Sequence, residues 1–141
     1  MAGIDTSDPL FDAVATVFAA TVLLDERQRD VELVEFTHAC VVHSRALRPQ
    51  HILCREQVRS WFDTHSAEIA ARLLDDEDGS YRTQILQRIE GDDLRRSVLS
   101  SVFAISVSDY ELHDEETAFI GRALRLWGVD LPSPKDIEAV A

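Results

Sequence analysis

The chain has 141 residues, 45% of them apolar, with only 5 Gly and 4 Pro, a balance that excludes the fibrous and disordered classes and allows an autonomous core without disulfide staples. Its 26 Asp and Glu against 14 Lys and Arg leave a net charge of -12. Such a field repels nucleic-acid phosphates and anionic lipid, and it favours cations or a protein partner with a basic surface.

Residues 1–8 read as a candidate flexible amino terminus. Asp5 and Asp8 stand where a secretory signal would carry basic residues, and no small-residue cleavage pattern follows, so a cytoplasmic location is expected. Ser7-Asp8-Pro9 reads as a helix start, because Ser or Asp accepts from open amides and Pro in the first turn loses no needed hydrogen bond. Leu10, Val14, Val17, Phe18, Thr21 and Val22 then recur near helical spacing in apolar surroundings, which predicts a helix buried on more than one side. The uncharged run Ala13 to Leu24 covers 12 residues, too few to span a bilayer, and no membrane insertion is expected. The charged patch Asp25-Glu26-Arg27-Gln28-Arg29 marks a turn. A second helix through Val31, Phe36, Ala39 and Cys40 stops before Pro49.

After Pro49, the group Val58, Trp61 and Phe62 predicts a short helix, and Ile69, Ala70, Leu73 and Leu74 predict another. Asp75-Asp76-Glu77-Asp78-Gly79 reads as a solvated turn, since it lacks the alternating ligands and distal Glu of a calcium loop. Tyr81, Ile85, Leu86 and Ile89 form the next face. The strongly apolar stretch from Leu94 to Val107 predicts a central helix, and Phe119, Ile120, Ala123, Leu124 and Trp127 point one further helix inward before Gly128 closes it. Ser133-Pro134 starts a short terminal helix containing Ile137 and Val140. With no alternating strand segments, the expectation is one all-α domain over residues 1–141, a compact bundle of seven or eight helices. Cys40 and Cys54 form no C-x-x-C motif and read as buried thiols.

Ala13 through Asp25 echoes Ser97 through Asp109: each apolar helix ends at an Asp, and a Glu follows seven residues later, at Glu32 and Glu116. This is a weak two-fold repeat. In both copies the Asp falls at a helix-to-helix turn and the Glu in the first turn of the next helix, where an acid caps amides and complements the positive helix end. The second copy, Ala104-Ile105-Ser106-Val107-Ser108-Asp109-Tyr110-Glu111-Leu112-His113-Asp114-Glu115-Glu116 followed by Phe119-Ile120-Gly121-Arg122-Ala123-Leu124, resembles the second signature of the tellurite-resistance TerB family. The first signature would cover Phe18 through Phe36. The resemblance implies an all-helical fold with two acidic helix-turn-helix signatures, a link to stress responses, and a metal site whose residues match Asp25, Glu32, Asp109 and Glu116. The chain is divergent within that pattern. Glu26 and Tyr110 replace the Gly usual after each Asp, and Gln28 stands where Leu112 makes the apolar turn contact.

If the two repeats face each other, the four carboxylates would provide oxygen ligands for a divalent cation such as calcium, magnesium or manganese. Two carboxylates about 5 Å apart repel by roughly 3 kcal/mol at an effective dielectric near 20, so a close cluster needs a cation, raised pKa values or open solvent. Glu35 with His38, and His113 with Glu116, share i,i+3 spacing, but the first pair has no repeated counterpart to complete a di-iron bundle. His43, His51 and His65 lack ligand spacing, and Trp61 and Trp127 suit a core or an interface, which leaves the oligomeric state open. There is no Gly-rich phosphate loop and no nucleophile elbow. The expectation is therefore an acidic interaction or stress-associated module regulated by a divalent ion, more a non-enzyme than an enzyme. The alternatives are a metal-dependent hydrolase and a metal-free structural protein-binding domain.

Overall fold

In the computed structural model, which describes residues 8–24, 30–47, 49–50, 53–108 and 113–129, the first helix begins as its sequence dictates. The Leu10 amide donates to the Asp8 carboxylate at 2.9 Å, and Pro9 occupies the first turn of α1 (Pro9–Leu23). α1 is buried nearly all round, from Phe11 to Val22. Its two interior hydroxyls are satisfied within the helix, Thr16 by the Asp12 carbonyl and Thr21 by the Val17 carbonyl, so neither breaks the apolar surface.

The remaining helices are α2 (Asp30–Leu47), α3 (Arg55–Leu74), α4 (Ser80–Gln87), α5 (Asp92–Ser106) and α6 (Asp114–Trp127). α1 is the hub, packing against α2, α3, α4 and α5, while α5 also holds α2 and α6. Among the described residues all regular structure is helical, in six helices. The terminal helix expected from Ser133 lies outside the described residues. None of the helices described is long and apolar enough to cross a membrane.

One apolar cluster draws on all six helices. Phe18, Phe36 and Phe119 are fully buried in it, each contributing roughly 1.5–3 kcal/mol relative to exposure. Trp61 sits among Phe11 and Phe36, at ring-centroid distances of 6.2 and 6.3 Å, and joins α1, α2 and α3. Trp127 anchors α6 to α4 by donating its indole N–H to the Leu86 carbonyl at 3.0 Å. Both tryptophans are thus core residues with their one polar atom satisfied.

Two expectations need correction. Residues 55–74 form one helix rather than two, because no Gly or Pro interrupts them; Val58, Trp61, Phe62, Ile69 and Leu73 are buried along it, while Leu74 of the second stripe faces solvent. Only Cys40 is a buried thiol; Cys54 is exposed, since it precedes α3 at its amino end instead of lying within a helix face. α6 ends as expected at Gly128, whose φ of +63° is the left-handed conformation that glycine adopts without strain.

Candidate functional site

The acids singled out by the internal repeat fall at matched positions. Glu32 is the third residue of α2 and Glu116 the third residue of α6, and both side chains have 0% exposure. Their neighbours in the same first turns, Asp30, Val31, Asp114 and Glu115, all face solvent. The helix start therefore turns one acid of each group into the protein. At α6 the local reason is visible: the His113 amide donates to the Glu116 carboxylate at 3.4 Å, the reciprocal half of a capping box. The helices carrying the two Glu residues both pack against α5.

Asp25 and Asp109, the other two acids of the set, lie outside the described residues, as do Glu26 and Tyr110. Among the described residues, no three His, Cys, Asp or Glu side chains are grouped closely enough to hold a metal ion. What the described part provides is two fully buried carboxylates at helix amino ends. Burying a carboxylate is costly unless hydrogen bonds, a helix dipole or a cation offset the lost hydration. Hard oxygen donors in that setting suit calcium, magnesium or manganese by chemistry.

A second polar constellation was not anticipated. Asp12 accepts from the Trp61 indole N–H at 3.2 Å and from Arg88 at 3.0 Å, and it stands at one edge of a cleft of about 430 Å3 between α1, α3 and α4. Across the cleft Arg72 lies over the Tyr81 ring, 5.4 Å from its centroid, and also pairs with Glu68 at 3.8 Å. Burial pushes the Tyr81 hydroxyl above its ordinary pKa. Because the acids here are matched by guanidinium groups, the cleft is a clasp between three helices. A signal was present in the sequence, since Asp12 is the one charged residue in the whole of α1.

Of the histidines, His43 is buried between helices. Its Nδ1 lies 2.9 Å from the Ala39 carbonyl and its Nε2 3.0 Å from the Ser97 hydroxyl, with Phe18 against the ring edge. A carbonyl only accepts, so Nδ1 carries the hydrogen and Nε2 accepts from Ser97. His65 packs on Trp61, with ring centroids 4.6 Å apart. His38 is exposed beside Glu35, in a shallow cleft shared with Arg55 and Arg59, and His51 lies outside the described residues.

Comparison with protein-family models, with curated proteins and with solved structures finds no match to this chain.

Proposed function

We propose that the chain is a TerB-like acidic module that binds a divalent cation, with Glu32 and Glu116 providing two of its oxygen ligands and Asp25 and Asp109 the other two. The observation that supports this reading is the matched burial of Glu32 and Glu116, 84 positions apart in the sequence and each third in its helix. An acid that only complements a helix end can do so at the surface, where hydration is kept. Full burial of both members of a repeated pair goes further and suits a shared positive ligand. The proposal takes the internal repeat as structural and treats metal binding as regulating contact with a partner that carries a basic surface.

Calorimetric titration of the protein with calcium, magnesium and manganese tests the reading, alongside Glu32→Gln and Glu116→Gln, which keep side-chain shape and remove charge. At least one cation is expected to bind, and each variant to weaken it at least about tenfold, in the range that loss of metal-supporting groups produces. The ion should also stabilise the wild type by about 2.7 kcal/mol at a hundredfold excess over Kd, seen as a higher melting temperature. Absence of both heat and thermal shift defeats the proposal. Binding unchanged in both variants moves the ion away from these residues.

A further inference from the structure

A broad groove of about 920 Å3 runs between the ends of α1 and α3, the start of α4 and the outer side of α6. Its cations are of two kinds. Arg82 is committed, pairing with Asp76 at 2.9 Å and with Glu115 at 3.6 Å. Arg122 and Arg125, on neighbouring positions of the α6 surface, have no carboxylate partner among the described residues. In a chain of net charge -12, two such arginines on one helix surface are a local departure from the acidic average.

Arg122 is also held in place. It donates to the Thr83 hydroxyl at 2.9 Å, and its guanidinium lies over Gly79, where a Cβ on residue 79 would overlap it. A guanidinium fixed by a neutral hydroxyl keeps its remaining N–H groups for a ligand, and its ordering has already been met in the fold. The same groove presents Leu74 at 86% exposure, the most exposed large hydrophobic side chain among the described residues. One ordered cation, a second exposed one and an uncovered leucine in the same groove form an amphipathic surface.

We propose that this groove docks an acidic segment of a partner protein, whose carboxylates pair with Arg122 and Arg125 and whose apolar side chains cover Leu74. The i,i+3 spacing of the arginines puts their Cβ atoms roughly 5–6 Å apart, which matches carboxylates one turn apart on a helix. Glu77 and Glu115 on the rim limit the positive field to those two groups. This favours a short acidic motif over a long phosphate polymer, which would meet the acids of the whole surface. A small free anion would make no use of Leu74. Neither Glu32 nor Glu116 lines the groove, although Glu115 and Thr117 flank Glu116, and pairing with Arg122 and Arg125 needs no metal.

The test uses a fluorescein-labelled short helical peptide carrying Glu and Leu at one-turn spacing, a second peptide with Gln in place of Glu, and a single-stranded oligonucleotide, with fluorescence anisotropy as the readout. The acidic peptide is expected to bind best and to weaken as salt rises from about 0.05 to about 0.3 M. Arg125→Gln should weaken it about threefold and Arg122→Gln with Arg125→Gln about tenfold, as expected for exposed ion pairs. Leu74→Ser should weaken it at least about threefold through lost apolar cover. Arg125 and Leu74 are both exposed, so their variants keep the fold, which circular dichroism verifies. The proposal is overturned by no peptide binding, by equal binding of the Gln peptide, by tighter oligonucleotide binding, or by affinity unchanged in the three variants. Self-association of the wild type that the double arginine variant abolishes would give the groove to a second copy and overturn it too.

Discussion

His43 shows how one buried side chain couples the fold to pH. Burial in the core lowers its pKa from the ordinary 6.5, and this outweighs the opposite pull of the contacts with Ala39 and Ser97. The folded state therefore holds the imidazole neutral while the unfolded chain takes up a proton near its ordinary pKa. Between the two values the unfolded state binds more protons, so this stability is present above about pH 6.5 and is lost as pH falls through the folded value. Ring-proton NMR should give His43 a titration midpoint below 6.5. The urea midpoint of the protein should fall as the solution is acidified through the same window, and His43→Phe should flatten that fall. A His43 midpoint above that of a free imidazole would mean that the ring is not buried as described. Nothing in the sequence marked this residue, because His43 gains its role only when α5 brings Ser97 to it.

α4 illustrates what makes a short helix stand. Eight residues do not hold a helix by themselves, and its stability comes from its amino end and its packing. The Asp76 carboxylate accepts from the amides of Tyr81 and Arg82 at 2.8 and 3.0 Å and from the Arg82 guanidinium at 2.9 Å. Burial of Asp76 would raise its pKa, but these donors win and hold it below the ordinary 3.8. Its contribution is thus present above the unfolded pKa and lost as pH falls through the lower folded value. Asp76→Ala is expected to cost about 1–2 kcal/mol, the upper range for a lost cap, seen as a lower urea midpoint and as faster amide exchange in α4. An unchanged midpoint near neutral pH would remove Asp76 from this role. The sequence showed the acidic run as a turn but not the one acid that folds back onto the next helix, because that acid reaches five and six residues ahead instead of the usual two or three. Gly79, at φ +76°, was visible as a breaker, yet the guanidinium of Arg122 lying over it was not. By contrast, the first-turn positions of Glu32 and Glu116 were legible from the sequence, though not the burial of both side chains.

For the whole molecule, the apolar pattern was enough to read an all-helical core with α1 buried, since periodicity depends only on local spacing, but the hub is α1 and not α5, which was expected to be central. Which polar groups meet across helices was not, because Asp12 finds Trp61 and Arg88 at separations of 49 and 76 residues. The two cysteines turn this architecture into a measurement. Cys54 is exposed, whereas Cys40 is fully buried on α2 and burial pushes its thiol well above the ordinary pKa. The thiolate is the reactive species, so native Cys40 is protected both by exclusion and by its protonation. A thiol reagent near neutral pH should therefore modify Cys54 promptly. Cys40 should react only when α2 leaves α1, α3 and α5, which requires opening the core that all six helices share. Its labelling rate in increasing urea should then track global unfolding measured by circular dichroism, and Cys54→Ser should leave that rate unchanged. Prompt modification of Cys40 in the Cys54→Ser protein, with the helical signal intact, would show that α2 opens by itself and is not part of the cooperative core.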